Sequence, residues 1–155
     1  LIDLKFMVPD KTFLLRLVWH PAHFENGELQ PAAFDRDDLS GKNGRYISVD
    51  REDYILKIAT DHTIERQGKK ENRHEAFFVR YSCSDVRSAK DEMGNRPFEV
   101  TSEPVPEQDG VCPENPAHCA IRNATDNKSK SYINQLRTIL VEINSGIKKY
   151  DDIFL

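Results

Sequence analysis

The chain has 155 residues, enough for one domain around one core. Hydrophobic residues are 38% and charged residues 31%, with 8 Phe, 5 Tyr and 1 Trp to build that core, so the composition is polar without being that of a disordered chain. A net charge of −4 argues against a dedicated duplex-DNA binder, which needs a basic footprint, and no apolar run approaches the roughly 18 residues that would span a bilayer.

Phe13 to Trp19 is a compact apolar run broken by one charge, Arg16, and reads as a buried strand ended by Pro21. Glu25-Asn26-Gly27-Glu28 is a turn marked by Asn26-Gly27. A short mixed stretch, Leu29 to Phe34, leads into a polar loop from Asp35 to Gly44. Arg45 to Val49 predicts a second strand. Asp50 then predicts an N-cap, supported by Asp53, for a helix over 53–67 whose apolar side is Tyr54, Ile55, Ile58, Ala59 and His62.

After a polar break at 68–72, Ala76 to Tyr81 predicts a strand with Phe77, Val79 and Tyr81 on one face and Phe78 and Arg80 on the other. Ser84 or Asp85 is expected to cap a short helix running through Met93, and Phe98 to Thr101 predicts a fourth strand. The stretch 103–116 carries four prolines and Asp109-Gly110, an irregular connector; Cys119 to Ile121 predicts a short edge strand. Ile133, Leu136, Ile139, Leu140 and Ile143 form the stripe of a last helix over 128–145, with Asp126 as N-cap and Gly146 as C-cap. The order implies a single α+β domain over 1–155, with a mostly antiparallel sheet and two main helices.

Leu1 to Val8 is too short and mixed for a signal peptide, and no small-residue cleavage site follows. Cys83, Cys112 and Cys119 are an odd count in a chain large enough to do without staples, so they read as reduced thiols of a cytoplasmic protein; a Cys112–Cys119 bridge is the alternative for an oxidising compartment. Without a secretory signal, the glycosylation patterns at Asn123 and Asn127 read as chance matches.

The tripeptide Pro-Ala-His occurs twice, in Trp19-His20-Pro21-Ala22-His23 and in Asn115-Pro116-Ala117-His118-Cys119. Each copy is expected where a strand meets a loop, the usual seat of chemistry. Imidazole and thiolate together suit zinc, but the spacing is poor: Pro21 stiffens His20-x-x-His23, and His118 and Cys119 point to opposite faces of a strand. Cys119 beside His118 is the better thiol nucleophile, although adjacency in sequence does not lower a thiol pKa. Lys128, Ser129 and Lys130 open the last helix, where free N–H groups, a hydroxyl and two ammonium groups would suit a phosphate or an acidic partner. No Gly-rich phosphate loop is present, and no metal or cofactor is assigned.

Two resemblances add to this. Arg16, Ser48 and the later Glu75 resemble the scattered triad of ADP-ribosyltransferases, in which the Arg fixes the dinucleotide, the Ser/Thr supports the pocket and the Glu stabilises an oxocarbenium-like transition state; the second Ser/Thr-x-Glu of that family is missing. The run Leu15-Arg16-x-x-x-His20-Pro21-x-x-Phe24-x-x-Gly27-x-Leu29-x-x-x-Ala33-Phe34, then Ser48-Val49, then Asn115 to Ile121, then Lys128-Ser129-Lys130, resembles a group of short uncharacterised bacterial proteins with the same motif order. That likeness implies a bacterial, cytoplasmic, single-domain protein in which Arg16, His20, Phe34, Ser48, His118 and Lys128 share one site or one core.

The expectation is a small accessory or interaction domain with a protein partner. Arg16, His20, Ser48 and His118 are its candidate catalytic residues. His20, His23 and His118 face one cleft, and Lys128 and Lys130 stand at the rim. The rivals are an enzyme acting on a nucleotide or nucleic-acid phosphate, ADP-ribosyltransferase-like, and a zinc-stabilised binding module.

Overall fold

The computed structural model describes residues 7–154; the reading of Leu1 to Val8 falls mostly outside them. Six strands form one sheet in the order β6-β7-β4-β1-β5-β8, and every pairing is antiparallel. They are β1 (Phe13–Trp19), β4 (Ile47–Arg51), β5 (Ala76–Ser82), β6 (Phe98–Ser102), β7 (His118–Asn123) and β8 (Ile147–Lys149). A separate hairpin pairs β2 (Phe24–Glu25) with β3 (Glu28–Leu29). Its two-residue loop needs positive φ at both positions, and Asn26 (φ 51) and Gly27 (φ 80) supply it. The helices are α1 (Arg36–Ser40), α2 (Lys57–Arg66), α3 (Cys83–Ser88), α4 (Lys130–Glu142) and α5 (Tyr150–Ile153). This is the α+β class, with α2 and α4 as the two longest helices.

Strand alternation sorts side chains to two faces, and both faces are covered. Leu14, Val18, Ile47, Val49, Val79, Tyr81, Val100 and Ile121 point to one face and build the larger core with Leu39 of α1, Val86 of α3 and Ile133, Leu136 and Leu140 of α4. The Tyr81 hydroxyl crosses that core to donate to the Leu140 carbonyl. Leu15, Ala76 and Phe78 point to the other face and pack with Ile64 of α2 and Tyr150 of α5. Covering both faces explains why β1 and β5 read as nearly continuous apolar runs.

Several expectations need correction. The second strand covers 47–51 rather than 45–49, and Asp50 is a strand residue, not a helix cap. Cross-strand partners on both sides outcompete its capping tendency: Leu15 on β1 and His118 on β7. The helix expected over 53–67 begins only at Lys57, behind Leu56, which gives no side-chain cap. Its buried face is Ala59, Thr60 and Ile64, whereas Tyr54 and Ile58 are exposed.

The loop 35–44 contains the one-turn α1, capped by Asp35 and ended by Gly41 in the left-handed region. Ser82 rather than Ser84 or Asp85 caps α3, which stops at Ser88. β7 is not an edge, because β6 pairs along its outer side. The last helix is shorter than 128–145, and its N-cap is Ser129, whose Oγ accepts from the Tyr132 N–H at 3.3 Å, not Asp126. The C-cap is Ile143, three residues before Gly146. β8 and α5 were not legible at all. Among the described residues, no helix is long and apolar enough to cross a membrane.

Candidate functional site

On the α2 side of the sheet lies a cleft of about 460 Å³. Leu15 and Leu17 of β1, Ser48 and Asp50 of β4, and His118 of β7 form its floor. One wall is α2, and the other is the connector that precedes β7. α2 is held in place by burial of Ile64, by the Trp19 indole N–H donating to Gln67 Oε1 at 2.8 Å, and by the Tyr150 hydroxyl donating to Asp61. The connector is folded on itself by paired backbone bonds between Val105 and Asn115 at 2.9 and 2.8 Å. Its four prolines thus stiffen one side of the recess.

Asn115 ties this wall to the floor. Its side-chain amide donates to Asp50 Oδ1 at 3.0 Å, and its own Oδ1 accepts from the Ala117 N–H at 3.3 Å. Asp50 and His118 are cross-strand partners, so their side chains share the cleft face. Burial pushes the Asp50 carboxyl well above the ordinary aspartate range, opposed by the Asn115 hydrogen bond and by the positive form of His118. His118 Nδ1 lies 2.8 Å from the Glu103 carbonyl. A carbonyl only accepts, so Nδ1 carries a proton and Nε2 of the neutral ring is the acceptor.

Arg16 has the strand parity of Leu14 and Val18, so its side chain sets out on the larger-core face, opposite the α2 cleft. β1 and β4 pair only at Leu14↔Arg51 and Leu15↔Asp50, and beyond that point they part. Into this gap the guanidinium donates to the Ser48 carbonyl at 3.1 Å and to the Ala33 carbonyl at 3.3 Å. Burial works against its charge, opposed by Asp38, Tyr81 and Asp35 at a distance. No carboxylate among the described residues forms an ion pair with it. His23 stands beside it: its Nδ1 accepts from the Trp19 N–H at 3.0 Å, and burial followed by the Arg16 charge pushes its pKa down. It is therefore neutral at pH 7, with the proton on Nε2.

Several buried polar atoms around the cleft have no partner. Among the described residues, four buried side-chain polar atoms have no hydrogen-bond partner. Three of them, Arg16 Nε, Thr60 Oγ1 and His62 Nε2, belong to residues lining this cleft. The fourth, Arg73 Nε, lies outside it. Such atoms are uncommon in folded proteins; the three around the cleft are sealed from solvent and lie behind the surface of the recess rather than on it.

Ser48 and His118, anticipated from the sequence, come to one recess together with His23; Arg16 borders it from β1, but its guanidinium is bound to the Ala33 and Ser48 carbonyls. His20 does not. Its exposed ring stacks on Phe77 at 5.1 Å and lies 5.3 Å from Phe24, and Phe77 pairs with Val18 on the opposite sheet face. Alternation and the turn after Trp19 send the two histidines of His20-x-x-His23 apart. The two histidine-bearing strand ends are also not neighbours, because β4 lies between β1 and β7.

Glu75, the carboxylate of the ADP-ribosyltransferase-type triad, pairs with Lys69 at 3.8 Å and does not line the cleft; the only acid there is Asp50. Lys128, Ser129 and Lys130 do not stand at the rim. Lys128 Nζ donates to the Asn123 carbonyl at 3.0 Å, Ser129 spends its hydroxyl as the cap of α4, and none of the three lines the cleft.

Cysteine and metal chemistry find little here. Cys119 points to the buried core, and burial pushes its thiol up to about 12, far from a thiolate at neutral pH. All three cysteines are unbridged. No group of three or more His, Cys, Asp or Glu among the described residues could hold a metal ion, which leaves a zinc-stabilised module without a ligand set there. No protein-family model, curated protein or solved structure matches the chain.

Proposed function

We propose that this chain is an accessory domain of the bacterial cytoplasm that works by holding a small polar molecule in the α2 cleft for a protein partner. The motif order and the unbridged thiols support the setting. The observation that carries the binding reading is the recess itself, whose floor joins Ser48, Asp50 and His118 and whose wall is tied down by Asn115. A ligand that occupies it stabilises the native state by mass action. The size suits a compact metabolite, within the lower part of the usual range of about 300–1,000 Å³.

A thermal-shift screen with nucleotides, sugars, amino acids and carboxylates tests this. One class is expected to raise the melting temperature, by an amount that grows with concentration and corresponds to about 2.7 kcal/mol at a hundredfold excess over Kd. Ser48→Trp, which fills the floor of the recess, is expected to abolish the response. If no class stabilises the protein, or if Ser48→Trp responds as well as the native chain, the reading is wrong.

A second reading, an enzyme acting on a nucleotide or another phosphate ester, is favoured by Asp50 and His118. Burial favours the protonated form of the Asp50 carboxyl, which in that form can donate a proton, and Nε2 of the neutral His118 ring can accept one. An enzyme would lose turnover but keep affinity in His118→Gln, whereas a binding domain has no turnover to lose.

A further inference from the structure

We infer that the molecule held in the cleft is a neutral polyol, a sugar or the sugar moiety of a larger metabolite, whose hydroxyl groups bind Ser48, Asp50 and His118 on the sheet floor and His23 beside them. This rests on the binding reading above and adds the chemistry of the ligand.

Reachable polar atoms differ from sealed ones here. Among the described residues, the sealed atoms without a partner are Arg16 Nε, Thr60 Oγ1, His62 Nε2 and Arg73 Nε. Asp50 Oδ2, His118 Nε2 and His23 Nε2 also have no hydrogen-bond partner there, yet they are not sealed: their residues are partly exposed and line the recess. Ser48 is exposed, and its hydroxyl has no partner among the described residues. Alternation puts Ser48 and Asp50 on one face of β4, and the pairing of Asp50 with His118 sets the imidazole beside them. Neither a hydrogen bond nor an ion pair joins Asp50 to His118, so each keeps its free atom for a third group.

The pattern of donors and acceptors selects the ligand. His118 Nε2 accepts, because the ring proton sits on Nδ1 at the Glu103 carbonyl. His23 Nε2 donates, because its Nδ1 accepts from the Trp19 N–H. The Ser48 hydroxyl does either. Asp50 accepts through Oδ2 when ionised and donates through it when protonated, the form that burial favours. A hydroxyl both donates and accepts, so neighbouring hydroxyls on one carbon skeleton satisfy this mixed set. An oxyanion only accepts and would meet the lone pair of His118; an ammonium only donates and would meet the N–H of His23. The Arg16 guanidinium brings no charge to the floor, since the Ala33 and Ser48 carbonyls hold it. Leu15, Leu17 and Trp19 alternate along β1 on the cleft face and give the recess an apolar side for the C–H faces of a sugar ring.

Trp19 is the one tryptophan of the chain and lines the recess, so its fluorescence reports binding there. The test titrates the protein with ribose, glucose and myo-inositol, and with inorganic phosphate, acetate and methylammonium as charged probes. It reads Trp19 fluorescence and the nitrogen NMR signals of the histidine rings. At least one polyol is expected to change both saturably, moving Nε2 of His118 and of His23 and leaving His20 unmoved; the charged probes are expected to bind more weakly. His118→Asn keeps a donor for the Glu103 carbonyl and removes Nε2, and Ser48→Ala removes a hydroxyl at an exposed position. Each is expected to weaken polyol binding about fivefold, the effect of losing one neutral hydrogen bond. Ser48→Ala keeps the test informative if His118→Asn does not fold.

Polyols that change neither signal, or that bind Ser48→Ala as tightly as the native chain, overturn the polyol assignment. Phosphate, acetate or methylammonium binding more tightly than every polyol also overturns it and leaves the binding reading standing. Silence from the wider metabolite screen as well removes the binding reading with it.

Discussion

Asp50 shows how one residue changes meaning with its surroundings. Its carboxyl is raised above the ordinary value, so in the window between the unfolded and folded pKa the native state binds more protons than the unfolded chain. Stability therefore falls as pH rises through that window and stays lower above it. Asp50→Asn keeps an oxygen for the Asn115 amide and removes the charge. It is expected to stabilise the protein at neutral pH by about 1–2 kcal/mol and to flatten the fall in stability from about pH 4 upward, measured by urea unfolding across pH. A variant with the native slope would show that Asp50 is not the group responsible. His20 makes the opposite case: a residue conspicuous in sequence whose ring packs on Phe77 and Phe24. His20→Ala is expected to cost about 1 kcal/mol of stability through lost ring packing. Any ligand affinity of the cleft should stay intact in isothermal titration.

At the scale of elements, α2 is the instructive one. Its hydrophobic residues do not mark its buried side: Ile58 is 66% exposed, whereas Thr60 is 4% exposed and Ile64 is fully buried. A periodicity reading goes wrong when a helix turns a polar residue inward to line a recess. Ile58→Lys is accordingly expected to change stability by no more than about 0.5 kcal/mol, and Ile64→Ala to cost about 2–5 kcal/mol, in denaturant melts. Equal effects would mean that the helix is rotated from the orientation described. By contrast, α4 was legible because its stripe is regular: Ile133, Leu136 and Leu140 are all buried against the sheet. Only its cap moved, from Asp126 to Ser129, as boundaries do when several capping residues compete within one turn.

Across the whole molecule the sheet is ordered from the inside out. β1 sits between β4 and β5 and pairs along its full length with β5, while β6 and β8 are the edges. β8 is exposed at all three positions and carries Lys148 and Lys149, charges that discourage pairing with another chain. Hydrogen exchange is expected to rank the strands accordingly. The amides of β1 and the β5 residues paired with it should exchange slowest, at the global unfolding free energy, and β8 should exchange faster through local opening. Uniform protection across the six strands would contradict this arrangement.

The α+β class, the strand pattern of β1 and β5 and the apolar stripe of α4 were written in the sequence, because they depend on local alternation and periodicity that burial on two faces preserves. Ser48 and His118 also stood out in the sequence, and they line one recess. What the sequence could not supply was company: Asp50 read as a helix cap, Thr60 as an unremarkable helix residue and Asn115 as part of a loop. Only the order of the strands set Asp50 beside His118 and parted β1 from β4 around Arg16. Only the turn after Trp19, which packs His20 on Phe24 and Phe77, separated it from the recess that His23 and His118 share. The physical reason is that a cleft is made by contacts between residues tens of positions apart, and no local preference of the chain encodes which of those contacts will form.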